Sequence, residues 1–403
     1  RRHRGGAASR GRPPSPRFQR PPDLQEPAVL HIRFRLPPRP LSGDVRTDPT
    51  RLSRALSASS QVGDAVLVRV ARESKGATVD SNEHLWIVIL AAGEGLRVQN
   101  LTRDRSGAPA PKQYSLVGGR TTLLGATLAR ARRLAPCDRI VAVVAGHHRH
   151  WWETELADLP ASNIVIQPEN RGTAAGILLP VLRITERDPD ARFVILPSDH
   201  GVASEKILNE SIAGAVTCVP HPTSRVVLLG VQPDGPETDY GWIVPKPRSN
   251  GRVRAVVSFR EKPTAEGAQA LFERGGLLNS FILVAGGRCL LNLFERETPV
   301  LWRLFRPPQS DDHDGSAITG DLSGLYDTLP TLDFSRDLLE RAADRLRVYA
   351  VPACGWLDLG SPERLTDHLI AQGRQQQARR YERPNPQPTR TRRWTGDTAA
   401  SAL

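Results

Sequence analysis

Residues Trp86 to Gln113 read WIVILAAGEGLRVQNLTRDRSGAPAPKQ, and the fold hangs on how this stretch opens. Trp86 to Leu90 form an unbroken apolar run, the pattern of a strand buried on both faces. The run passes directly into small residues, Ala91-Ala92-Gly93-Glu94-Gly95, with Arg97 just beyond. Glycine tolerates positive φ and carries no side chain, so several backbone N–H groups can converge on an anion there. Arg97 adds a permanently charged fork of donors. Pro111-Lys112-Gln113 returns a second cation to the turn if the intervening loop folds back. Taken alone, the same residues also suit a plain strand-to-helix turn with two solvated charges.

The rest of the chain repeats the alternation. Strand patterns occur at Trp86–Leu90, Ile140–Ala145, Ile164–Ile166, Phe193–Leu196, Val226–Val231, Val253–Phe259, Phe281–Val284 and Arg347–Val351. Between the first two, Leu124, Leu128, Ala131 and Ala135 recur at helical spacing, with Arg130, Arg132 and Arg133 on the other side. The expected fold is α/β: a Rossmann-like, doubly wound, mostly parallel (mixed) sheet with helices on both faces. Its ligand site lies beyond the carboxyl ends of the strands.

Charge separates this region from its flanks. The chain of 403 residues has a net charge of +12, yet residues 1–80 contribute +9 and residues 371–403 contribute +5, leaving −2 for 81–370. The high pI therefore belongs to the flanks and says little about what the core binds. The expected organisation is a disordered, basic Arg/Pro-rich segment at 1–80, a folded domain at 81–370 and a disordered basic tail at 371–403. Only 5 of the 55 basic residues are lysines, and Lys112 and Lys262 are each beside a proline. Cys137, Cys218, Cys289 and Cys354 form no C-x-x-C pair, which argues against structural zinc and a disulfide framework and suits a reducing, cytoplasmic setting. No apolar run approaches the roughly 20 residues that span a bilayer, so no membrane partner is expected.

Several loops after strands carry chemistry-bearing residues. In GHHRHWW, Gly146 to Trp152, His147 and His150 are spaced for one helical face and a shared metal. Two tryptophans and the lack of a third ligand nearby favour an ordinary helix start. At Gln167 to Gly176, QPENRGTAAG, small residues permit close approach of a flat ring, and Thr173 is placed to cap a helix. FVILPSDH, Phe193 to His200, ends a buried strand in Asp199, placed either to hold Mg²⁺ or to cap a helix. PETDYGWI, FREKP and LLNSFI supply Tyr240, Gly241, Glu261, Lys262 and Asn279, residue types that bind sugar hydroxyls and phosphate. GWLDLG adds a second acid, Asp358, after the last strand.

These motifs, in this order over roughly residues 85–370, resemble the sugar-1-phosphate nucleotidylyltransferases, and most closely the mannose-1-phosphate guanylyltransferase branch. The resemblance implies a nucleotide-binding turn at Leu90, Ala91, Ala92, Gly93 and Gly95, with Arg97 on the triphosphate and Lys112 near the phosphates being exchanged. It implies a base pocket at Arg171 and Thr173, and sugar-phosphate contacts from Tyr240, Gly241, Glu261, Lys262 and Asn279. Asp199 and Asp358 match Mg²⁺ ligands. The chain departs from the family at Asn100, where proline is usual, in a longer loop from Arg103 to Ala110, at Gly172 in place of asparagine, and at Phe281, where glycine usually follows the Asn-Ser pair.

The implied reaction is in-line attack of a sugar 1-phosphate on the α-phosphorus of a nucleoside triphosphate, with mannose 1-phosphate and GTP as the expected pair. The nucleophile is already anionic, so the task of Arg97, Lys112 and Lys262 is to offset repulsion between two polyanions. Glucose-1-phosphate thymidylyl or adenylyl transfer remains open. So does a non-catalytic relative that binds nucleotide or sugar phosphate. Nucleic acid is not an expected partner, and homo-oligomerisation is left open.

Overall fold

A computed structural model of the chain describes residues 83–117, 121–219, 225–247, 252–306 and 322–370. The disordered segments expected at 1–80 and 371–403 lie outside the described residues. The first strand, β1 (Leu85–Ala91), has both faces covered, as its unbroken apolar run requires. Parallel to it run β2 (Ile140–Ala145), β3 (Ile164–Gln167) and β4 (Arg192–Pro197), in the order β3-β2-β1-β4. Helices α1 (Leu123–Ala131), α2 (Arg149–Glu155) and α3 (Gly172–Arg187) connect them. The chain winds outward from β1 to β3, then returns to place β4 on the other side of β1. Such a reversal opens a crevice beyond the carboxyl ends of β1 and β4.

The second half completes the sheet differently. A short strand, β5 (His200–Val202), leads into α4 (Glu205–Thr217), then come β6 (Val226–Val231), β7 (Gly241–Pro245), β8 (Val253–Glu261), α5 (Ala265–Glu273) and β9 (Leu277–Gly286). After α6 (Gly287–Glu297), α7 (Pro299–Phe305) and α8 (Ser323–Thr328), the chain adds β10 (Leu346–Ala350) and β11 (Trp356–Asp358). The nine-stranded order is β3-β2-β1-β4-β9-β6-β10-β8-β7, and β9 runs antiparallel to both neighbours, so the sheet is mixed.

Alternation along the strands divides the core in two. Trp86, Val88, Phe193 and Ile195 face one layer with Ile177 and Val181 of α3 and Leu290 and Phe294 of α6. Ile87, Ile89, Val194 and Leu196 face the other with Leu124 and Leu128 of α1 and Leu208 and Ile212 of α4. Both faces are thus covered, and each fully buried aliphatic side chain contributes about 1.5–3 kcal/mol.

The structure lengthens the strand read at Phe281–Val284 and adds strands absent from the sequence reading. β9 begins at Leu277, ahead of the apolar run at Phe281–Val284, because Asn279 and Ser280 interrupt the hydrophobic pattern while the backbone continues to pair. The register also shifts between Leu228 and Gly230 opposite this point. β7, which looks like a loop in sequence, is a fully buried strand paired with β8 and β9. β5 and β11 form a separate antiparallel ribbon, too short to leave a periodic signal.

Candidate active site

The turn after β1 is built by glycine and held by side chains of neighbouring segments. Gly95 sits at φ 63°, and a Cβ there would lie 2.8 Å from the Lys112 backbone nitrogen. Only glycine allows the turn to approach the returning PKQ segment so closely. Gln113 then donates from Nε2 to the carbonyls of Ala91, at 3.0 Å, and Gly93, at 2.7 Å, and the Tyr114 hydroxyl donates to Ala91 as well. From the β4 side, the Ser198 hydroxyl donates to the Leu90 carbonyl at 2.7 Å. The carbonyls of Leu90, Ala91 and Gly93 are thus all committed to side-chain donors.

In front of the turn lies a cleft of about 710 Å³. Leu90, Ala92, Gly93, Gly95, Arg97, Thr173, Asp199, Tyr240, Gly241, Glu261, Lys262, Asn279 and Asp358 all line it. Residues from both halves of the chain therefore share one continuous site. Three of the expected residues stand off the lining. Ala91 is buried behind the turn, accepting the bonds just described. Arg171 pairs with Glu169 at 2.7 Å. Lys112 is 4% exposed and sits behind the two acids, its Nζ 2.8 Å from Asp199 and 3.1 Å from Asp358.

The two acids meet because of the β5–β11 ribbon. Asp358 pairs in register with His200, next to Asp199, so residues from the middle and the end of the chain face each other. Burial would raise the Asp199 carboxyl, but the Lys112 ammonium, with help from His200, holds it down to about 2. Burial likewise works against the Lys112 charge, and the two carboxylates overcome it and raise its pKa. Lys112 and Asp199 are thus both charged across the physiological range.

Asp199, His200 and Asp358 bring ligand atoms within 4.8 Å of one another. The Trp356 indole donates to His200 Nδ1 at 3.2 Å, which leaves the proton of the neutral ring on Nε2, facing Asp199. His200 is therefore a poor ligand, and the donor set reduces to two carboxylates. That set fits a hard divalent cation, which takes one or two protein carboxylates and completes its shell with water and phosphate oxygens.

At the other end of the cleft Glu261 faces Gly241, whose Cβ position lies 2.5 Å from Glu261 Oε2, so any larger residue at 241 collides with the carboxyl. Burial, then the nearby Asp333, pushes Glu261 up to about 7. Lys262, at φ 45° and exposed, donates its N–H to the Tyr240 carbonyl at 3.1 Å. Asn279 accepts the Phe281 N–H at 3.2 Å, and Phe281 itself lines the cleft at φ 58°. Thr173 lies inside α3, whose N-cap is Arg171, so it does not cap. Its hydroxyl oxygen instead accepts the Phe334 N–H at 2.7 Å.

A family model described as Nucleotidyl transferase matches residues 87–372, the whole of the region that forms this cleft. The chain belongs to the nucleotidyl transferase family. Among curated relatives, mannose-1-phosphate guanylyltransferase ManC from Salmonella typhimurium is 29% identical over 287 residues, covering 69% of this chain and 58% of the relative. A mannose-1-phosphate guanylyltransferase from Escherichia coli is 29% identical over 293 residues with the same two shares. The chain thus spans little more than half the length of these relatives. Among solved structures, one described as mannose-1-phosphate geranyltransferase from Thermus thermophilus has a TM-score of 0.59 at 26% identity, covering 69% of this chain and 76% of that one. Another, described as mannose-6-phosphate isomerase from Helicobacter pylori, shares the fold with a TM-score of 0.52 at 17% identity, covering 68% of this chain and 100% of that one.

The cleft also brings together residues that sequence reasoning passed over. Arg364 stacks over the Tyr240 ring at 4.6 Å, hydrogen-bonds the Tyr240 hydroxyl and Asp239, and lies 3.7 Å from Asp358. It ties the Asp358 strand to the loop that carries Asp239 and Tyr240, and no local motif announces it. Gln113 stands in the PKQ motif, yet its role as the clasp of the turn depends on the loop folding back. His147 and His150 do not share a site: His150 packs on Trp151 at 3.7 Å, while His147 faces Glu94. Among the described residues no helix is long and apolar enough to cross a membrane.

Proposed function

We propose that this transferase joins mannose 1-phosphate to GTP, forming GDP-mannose and releasing pyrophosphate, with Mg²⁺ as its cofactor. The observation that carries the reading is the convergence of Asp199 and Asp358 on Lys112, beside the glycine turn, in one cleft whose other end holds Glu261, Lys262 and Asn279. The names of the curated relatives support guanine and mannose as base and sugar.

In this reading the N–H groups of the Gly93–Gly95 turn and the Arg97 guanidinium bind the triphosphate, and Lys262 binds the phosphate of the sugar. An oxygen of the sugar phosphate attacks the α-phosphorus, a new P–O bond forms, and the bond to the β-phosphate bridging oxygen breaks with pyrophosphate leaving. No general base is required, because the nucleophile is ionised near neutral pH. Lys112, held off the cleft lining, acts as a positioning residue that keeps both carboxylates aimed at one point. Asp199 and Asp358 would hold Mg²⁺, which when bound supplies positive charge to phosphate oxygens. The free thiols Cys137, Cys218, Cys289 and Cys354 suit a reducing cytoplasm as the place of reaction.

The test is a turnover panel of GTP, ATP, UTP and dTTP against mannose 1-phosphate and glucose 1-phosphate, read as pyrophosphate release with Mg²⁺ present or chelated. GTP with mannose 1-phosphate should lead, and Asp358→Asn should raise its barrier by about 3 kcal/mol, a loss of rate on the order of a hundredfold. Preference for another pair reassigns the substrates. One observation favours a second reading, a non-catalytic binder: Phe281 places a ring in the cleft where the family pattern has none. GTP binding without pyrophosphate release in every combination would establish that reading instead.

A further inference from the structure

Glu94 does not line the cleft, although Gly93 and Gly95 on either side of it do. Its carboxylate instead faces the loop that follows β2. Oε2 lies 3.1 Å from His147 Nε2 and 3.4 Å from His148 Nε2, and one ligand atom from each residue falls within 4.8 Å of the others. Donor atoms around a tetrahedral ion with bonds of about 2.1 Å stand about 3.4 Å apart, so the two carboxylate distances match the edges of a coordination polyhedron.

The state of His148 is the second observation. Its ring is buried, 3% exposed, with no hydrogen-bond partner on Nδ1, and Nε2 is aimed at Glu94 across a distance too long for a good hydrogen bond. The ring is held there by packing, 5.6 Å from the Tyr114 ring and 5.5 Å from the Trp151 ring. A buried imidazole normally has a partner for each ring nitrogen. This one instead offers Nε2 from a fixed position, as a preorganised ligand does.

We propose that Glu94, His147 and His148 form a binding site for a divalent transition-metal ion of the zinc class, separate from the Asp199–Asp358 pair. Two imidazoles and one carboxylate suit such an ion better than Mg²⁺, which prefers oxygen donors alone. Three protein ligands leave a position for water, and the exposure of His147 leaves an entry path from solvent. The ion fastens the glycine turn to the loop that follows β2. Its role is to fix the turn, since none of its three ligands lines the cleft.

Titration of the full chain with Zn²⁺ in saturating Mg²⁺, followed by calorimetry and by the visible spectrum of Co²⁺ as a substitute, tests this site. The wild type should bind one ion that excess Mg²⁺ does not displace. His147→Asn and Glu94→Gln should each weaken binding at least tenfold, whereas Asp358→Asn should leave it unchanged. His147 is more than half exposed, so its replacement keeps the packing intact, and circular dichroism verifies that. Absence of Mg²⁺-resistant Zn²⁺ binding in the wild type, or equal binding by both variants, overturns the proposal.

Discussion

Phe281 occupies a backbone conformation that costs a side-chain-bearing residue about 1–2 kcal/mol, and it does so on the wall of the cleft. The Asn279 side chain and the edge-on packing of Phe281 against Phe334, with ring centroids 6.3 Å apart, hold it there. Comparing Phe281→Ala with Phe281→Gly separates strain from packing, because both lose the ring but only glycine relieves φ. The glycine variant should be the more stable by about 1 kcal/mol in urea denaturation, against the usual order of the two residues. Glu261 makes a second prediction at this scale. Its folded pKa, about 7, lies above the ordinary carboxylate value of 4.5, so the folded state holds the proton more tightly than the unfolded chain. Stability should therefore fall as pH rises between about 4.5 and 7, and Glu261→Gln should flatten that slope in pH-dependent melts. Asp199 has the opposite sign. Its depressed pKa contributes stability above about pH 4 that is lost as pH falls toward 2, and Lys112→Met should abolish that acid-limb term.

The β5–β11 ribbon decides whether the two acids meet, and it hinges on Gly355 at φ 62°. A Cβ at this position would come 2.5 Å from the Ala203 Cβ, so Gly355→Ala must both strain the backbone and push the strands apart. We expect a loss of at least about 1 kcal/mol in stability together with weaker Mg²⁺ dependence of turnover. A variant that keeps the wild-type Mg²⁺ response would show that the acids are positioned by something other than the ribbon. The ribbon was not legible beforehand. Its strands are three residues each, and Trp356-Leu357-Asp358 reads equally well as a loop. By contrast, β1, β2 and β4 were plain from their apolar runs, since strands buried on both faces need no alternation to be recognised.

Across the molecule, charge is unevenly distributed along the chain. The cleft-forming region carries −2 while the flanking segments carry the positive excess, so the sequence pI of about 10.2 describes the flanks. We propose boundaries near residues 81 and 370. A chain cut to 81–370 should unfold cooperatively, retain pyrophosphate release and no longer bind a cation exchanger at pH 8. Loss of cooperative unfolding on removal of the flanks would move those boundaries outward.

What residue order determined without help was the doubly wound sheet, the glycine turn and the acids at the ends of strands, because each is written in local hydrophobic period or in a single short motif. What the tertiary structure decided was which of these touch. Lys112 stands behind Asp199 and Asp358 instead of on the cleft lining, Arg364 bridges Asp239 and Asp358, and Glu94 turns toward His147 and His148. Each of these pairings joins residues far apart along the chain, and such partners are set by how the sheet is ordered and how its faces pack, which no local stretch of chain encodes.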